Sequence, residues 1–74
     1  MIKQGQIFKT KAGHLFVIGR INDDKTVFYA IFYDGSSRRV ETDDTIDYCN
    51  QSELIAEYPT WQEAVNSKEF NNND

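Results

Sequence analysis

The sequence predicts a mainly β domain, a β-rich α+β chain whose small antiparallel sheet has five strands and is followed by one short C-terminal helix. Three observations carry this expectation. Residues Thr26-Val27-Phe28-Tyr29-Ala30-Ile31-Phe32-Tyr33 form an almost unbroken run of β-branched and aromatic side chains, which fit a pleated, packed surface better than a helix. Turn-forming residues punctuate the first half of the chain at Ala12-Gly13, Asn22-Asp23-Asp24 and Asp34-Gly35, where side-chain hydrogen bonds or positive φ favour reversal. Near the end, Thr60-Trp61-Gln62-Glu63 follows Pro59 and has the spacing of a helix-starting capping box.

The elements follow in order along the chain. Residues 6–10 form a short first strand, with Ile7 and Phe8 on opposite faces. Residues 11–14 turn the chain into a second strand over 14–21. Alternation there places Leu15, Val17 and Ile21 on one face and Phe16, Ile18 and Arg20 on the other. Gly19 interrupts this strand and predicts a bulge or sharp bend. A polar hairpin loop over 22–25 leads to the third strand, 26–33. Its Val27, Tyr29, Ile31 and Tyr33 point one way, and Phe28, Ala30 and Phe32 the other. A strand apolar on both faces must be covered on both. Residues 34–37 turn into a fourth strand over about 38–42.

Residues 43–52 read as irregular or as a single helical turn anchored by Ile46 and Tyr48. Residues 53–58 are ambiguous by period but read as the fifth strand, because Pro59 biases Tyr58 towards extended backbone. Thr60 then accepts from the Glu63 amide, and the Glu63 side chain reaches back to the Thr60 amide. The helix runs from 61 to about 67, with Trp61, Ala64 and Val65 on one face and Phe70 pinning its far end. Residues 1–70 make one domain, and 71–74 a disordered tail with nothing to bury. The architecture expected is a partly open SH3-like barrel with the helix packed on one open edge or face; a bent meander covered by the helix is the alternative.

The opening Gly5-Gln6-Ile7-Phe8-Lys9-Thr10-Lys11-Ala12-Gly13-His14-Leu15-Phe16-Val17-Ile18 resembles the start of small SH3-like domains. The closing Tyr58-Pro59-Thr60-Trp61-Gln62-Glu63-Ala64-Val65-Asn66-Ser67-Lys68-Glu69-Phe70 resembles C-terminal segments of small uncharacterised proteins of Gram-positive phages and mobile elements. The resemblance implies a small barrel and an accessory role. It transfers no catalytic or binding residue, because fold analogy carries no function by itself.

Composition narrows the function classes. A chain of 74 residues lies near the lower limit for an unaided hydrophobic core, so a partner or second copy would add stability. Twelve acidic residues against eight basic ones give a net charge of −4, which argues against a dominant phosphate-tracking surface. Lys3, Lys9, Lys11, Arg20, Lys25, Arg38 and Arg39 lie in the first 39 residues, whereas beyond them only Lys68 is basic. That asymmetry suits a surface that steers a charged partner. No apolar stretch approaches the roughly 20 residues of a membrane helix. The N-terminal residues run directly into a strand pattern instead of an apolar secretory segment, and a cytoplasmic location is expected.

No catalytic residue, metal site or cofactor is expected. Cys49 and His14 are far apart in sequence, and nothing marks Cys49 as an activated nucleophile. One cysteine forms no internal disulfide and no zinc site of its own. Asp43, Asp44 and Asp47, with Glu41, lack the alternating oxygen ligands and mid-loop glycine of a calcium loop. The four glycines are scattered, so no phosphate-cradling loop exists.

The aromatic residues, 14% of the chain, exceed what the core of one small barrel needs. Tyr29 and Tyr33 share a face and carry polar tips. An arginine, Arg38 or Arg39, across the hairpin from Tyr33 would complete an aromatic and cationic patch. With Trp61 these make the candidate binding set Tyr29, Tyr33, Arg38, Arg39 and Trp61. The expected function is a non-enzymatic protein-interaction module whose partner is another protein or a second copy in a homodimer. One alternative is a nucleic-acid-binding module that stacks bases on an aromatic and basic face. It requires Lys9, Lys11, Arg20, Arg38 and Arg39 to gather on one face. The other is an acidic inhibitor whose Glu41, Asp43, Asp44 and Asp47 fill a partner's basic groove as phosphates would.

Overall fold

The computed structural model describes residues 3–23, 27–32, 35–41 and 52–71. Strands β1 (Gln6–Lys9), β2 (Leu15–Ile21), β3 (Val27–Phe32), β4 (Ser37–Glu41) and β5 (Glu53–Glu57) form one antiparallel sheet in the order β4-β3-β2-β1-β5. The first four strands are a meander, and the fifth returns to the far edge beside β1. Closure into a barrel requires the outermost strands to exchange hydrogen bonds. Here β4 pairs with β3 and β5 with β1, so among the described residues the sheet is open and not closed into a barrel. Residues 42–51, including Ile46 and Tyr48, lie outside the described residues.

The register explains how both faces are filled. On one face, Leu54, Phe8, Phe16 and Phe32 stand opposite one another across four strands. The Phe8 and Phe16 rings stack with centroids 5.5 Å apart, and Phe16 and Phe32 tilt together at 6.0 Å. Such cross-strand ring pairs add to the area they bury. Ile18, Phe28, Ala30 and Val40 complete this cluster, with Ile21 and Phe32 half-buried against it. On the other face Ile7, Leu15 and Val17 are covered by two short helices, α1 (Trp61–Val65) and α2 (Lys68–Asn71), through Ala64 and Phe70. β3 serves both clusters, with Phe28 and Ala30 in the first and Ile31 against the second. The second face of β3 is covered only in part, because Tyr29 on it stays exposed.

Two bulges bend the sheet. Ile18 pairs with Ala30 and Ile21 with Phe28, three steps on β2 against two on β3. The extra residue sits at the expected place, beside Gly19. A Cβ on Gly19 would lie 2.9 Å from the Tyr29 carbonyl oxygen and 3.1 Å from Ile31 Cδ1, so the close approach of β3 requires glycine. The bulge also corrects the expected alternation. Ile21 joins Phe16 and Ile18 instead of Leu15 and Val17, because one inserted residue inverts the facing of all that follow. The second bulge is in β5, where Ile7 pairs with Ala56 and Phe8 with Leu54, leaving Ile55 as the extra residue.

The helix starts where its sequence indicates, with one of the two bonds of the expected capping box. Thr60 is extended (φ −134°, ψ 158°) and its Oγ1 accepts from the Glu63 amide at 3.2 Å. The Glu63 side chain stays exposed. The single helix expected to about 67 is instead two. Buried Ser67 donates from Oγ to the Ala64 carbonyl (2.6 Å) and accepts from the Phe70 amide (3.3 Å). A serine that bonds nearby backbone in this way competes with helix continuation and favours a cap. Asn71 ends α2, its Nδ2 donating to the Val65 and Ser67 carbonyls. Residues 72–74 of the expected tail lie outside the described residues.

Candidate functional site

β5 reads Glu53-Leu54-Ile55-Ala56-Glu57. Its inner side pairs with β1, and among the described residues nothing pairs with its outer side. Leu54 is 45% and Ile55 38% exposed, adjacent aliphatic side chains on an open edge. Glu53 and Glu57, both exposed, bracket them. An unpaired strand edge presents free amides and carbonyls to any extended chain.

The inner side of β5 is held firmly. Gln6, buried, donates from Nε2 to Glu57 Oε1 (3.1 Å), and its Oε1 accepts from the Lys3 amide (2.8 Å). Gly5, at φ 90°, donates its amide to the Ile18 carbonyl (2.9 Å) and accepts from the Tyr58 amide (3.0 Å). It thereby ties β2 to the chain as it leaves β5. A Cβ there would fall 2.1 Å from the Tyr58 carbonyl oxygen, and positive φ strains any other L residue. Gln4 Oε1 accepts from the Trp61 amide at 3.2 Å. Beyond Tyr58, the phenol donates to both Glu69 oxygens (2.5 and 2.6 Å). That bond holds the Glu69 carboxyl below its ordinary value of 4.5 and pushes the Tyr58 phenol above 10.0.

The opposite edge differs. β4 exposes Ser37, Arg38, Arg39 and Glu41, and only Val40 is buried. Arg39 stands opposite Tyr29, which is 44% exposed, and Arg38 opposite Ala30. Among the described residues, the arginine that stands opposite a tyrosine is Arg39, and the tyrosine is Tyr29. Tyr33 lies outside the described residues. The Arg39 guanidinium is 3.6 Å from the Glu41 carboxylate two residues along. Arg38 is on the other face, beside a shallow depression lined by Phe16, Phe28, Phe32 and Val40. Its volume, about 10 Å³, holds one water and no ligand.

The remaining candidates are dispersed. Trp61 is half-buried in the cluster under α1. Arg38 and Arg39 project to opposite faces, as adjacent strand residues must, so they share no basic surface. Asp43, Asp44, Asp47 and Cys49 lie outside the described residues, and His14 is exposed in the turn between β1 and β2. Among the described residues no group of histidine, cysteine and carboxylate side chains could hold a metal ion, and no helix is long and apolar enough to cross a membrane. The pair Leu54–Ile55 is absent from the binding set read in the sequence. Its signal is the run of three apolar residues, Leu54-Ile55-Ala56, between two glutamates, which breaks the two-residue alternation of a regular strand. Comparison with protein-family models, with curated proteins and with solved structures finds no match.

Proposed function

We propose that this domain is a non-enzymatic protein-interaction module that takes an extended segment of another protein onto the outer side of β5. The observation that carries the proposal is the exposed pair Leu54–Ile55 on an edge that no other described strand pairs with. Strand addition of this kind draws affinity from main-chain hydrogen bonds and selectivity from alternate side chains. The rigid inner side supports it, since a pre-ordered edge loses little entropy on binding. The resemblance of the closing segment suggests an accessory role in a phage or mobile element.

The test compares Ile55→Lys with the parent domain against a panel of extended peptides. An exposed edge lysine opposes strand addition and changes stability by no more than about 0.5 kcal/mol at a surface position. The expected result is an unchanged melting curve with peptide binding lost. Equal binding by both proteins would place the interaction elsewhere.

A further inference from the structure

We propose that the exposed part of the helix-bearing face holds a second site, a short contact for single-stranded nucleic acid. One base stacks on Tyr29, and the phosphates on its two sides meet Arg20 and Arg39. The site does not depend on the β5 edge. The bulge of β2 builds it. With Ile18 opposite Ala30 and Ile21 opposite Phe28, Gly19 and Arg20 both stand against Tyr29. Unbroken alternation would send Arg20 to the face of Phe16 and Ile18. The inserted residue turns it instead onto the face of Tyr29, since Ile21 beyond it packs with Phe16 and Ile18; re-aiming a side chain is a recurrent use of bulges. On the other side of β3, Arg39 stands directly opposite Tyr29. One row across three strands therefore reads arginine, tyrosine, arginine, and all three residues are exposed. The helices cover Ile7, Leu15 and Val17 with Ile31 at the margin, and Tyr29 is not among the residues they bury.

The occupant follows from the order of the row. A nucleotide within a single strand carries a flat base between two phosphates, and the row presents the complement, an aromatic ring between two guanidiniums. Stacking on an aromatic side chain accepts any base, and arginine meets phosphate oxygens with paired donors. Adjacent strands lie roughly 4.8 Å apart, so the two arginine backbones are about 10 Å apart and their long side chains can close on either side of one base. An extended acidic peptide fits less well. Its successive side chains alternate faces, so an acid next to an aromatic residue points away from the row. Glu41 lies 3.6 Å from Arg39, and an exposed ion pair of this kind is weak enough to yield to a phosphate. The net charge of −4 opposes a long polyanion track, so the contact is confined to one nucleotide and its flanking phosphates.

A fluorescent oligothymidylate, an abasic strand of equal length and a glutamate-rich peptide test this on the whole domain. Anisotropy gives affinity and amide shifts give location. The thymidylate is expected to bind at low salt, with shifts at 19–20, 29 and 39. Its affinity is expected to fall with a logarithmic salt slope of about −1.4, about −0.7 for each phosphate of a single strand. Loss of the base in the abasic strand, or of the ring in Tyr29→Ala, is expected to cost about fivefold or more, whereas Tyr29→Phe keeps the affinity. Arg20→Gln and Arg39→Gln, both at exposed positions, are each expected to reduce the slope by about half. Glu41→Gln is expected to tighten binding, since it removes the carboxylate that competes with phosphate for Arg39. No binding, shifts confined to other residues, or equal affinity for the thymidylate and abasic strands overturns the site. Tighter binding of the peptide at the same residues makes the row a protein contact and overturns the nucleic-acid reading.

Discussion

The two edges of the sheet answer the same hazard differently. β4 is blunted: four of its five residues expose polar or charged side chains, and Arg39 is paired with Glu41. β5 leaves two aliphatic residues in solvent and relies on a bulge and two flanking glutamates. Charged side chains and bulges are both devices that keep strand edges from aggregating. The difference lies in what each edge still admits. β4 offers little apolar surface to an incoming chain, whereas β5 offers Leu54 and Ile55 between two exposed glutamates. A small domain can thus blunt one edge and leave the other apolar.

The largest expected effect removes the floor that both edges share. Phe16 is fully buried and stacks with Phe8 and Phe32. Phe16→Ala is expected to cost about 3–5 kcal/mol, enough to unfold a marginal domain and abolish the contrast between the edges. Chemical denaturation measures it. Gly5→Ala is more selective. It strains the positive φ and drives a methyl into the Tyr58 carbonyl, at a cost of roughly 2–4 kcal/mol. Hydrogen exchange is expected to rise at β5 and at the start of α1 more than at β3 and β4. Equal loss at both edges would mean that Gly5 braces the whole sheet.

The smallest effect concerns pH. Glu69 has a lowered folded-state pKa, so its bond to Tyr58 contributes fully above the ordinary carboxyl value and is lost as pH falls through the depressed one. Tyr58 has a raised pKa, so its contribution is full below 10.0 and is lost as pH rises through the raised value. Tyr58→Phe removes both dependences. Melting temperature followed from acid to alkaline pH is expected to be flatter at both ends for the variant. Identical profiles would show that this exposed bond adds nothing to stability.

Much of the frame is legible in the sequence, because hydrophobic alternation and turn chemistry are local. The third strand, the glycine bulge, the Thr60 cap and the pinning role of Phe70 all follow from neighbouring residues. What is not legible depends on register. Whether Arg38 or Arg39 meets a tyrosine is decided by which residues of β3 and β4 stand opposite, and the sequence leaves that open. Ile21 changes face because one residue is inserted upstream. Trp61 belongs to a binding set only if it is exposed, but α1 packs it half-buried against the cluster of Ile7, Leu15, Val17, Ala64 and Phe70. Gly5 looks like any loop glycine until Tyr58, 53 positions away, is brought against it. The second helix arises because buried Ser67 bonds local backbone, a choice that burial makes and propensity alone does not.

The central claim is that one edge is open to an extended partner and the other is not. Amide hydrogen exchange, measured residue by residue with and without an extended peptide that the domain binds, tests it most directly. Protection gained over 53–57, with 37–41 unchanged, is the expected result. Protection gained at 37–41, or at neither edge while the peptide is bound, would contradict it.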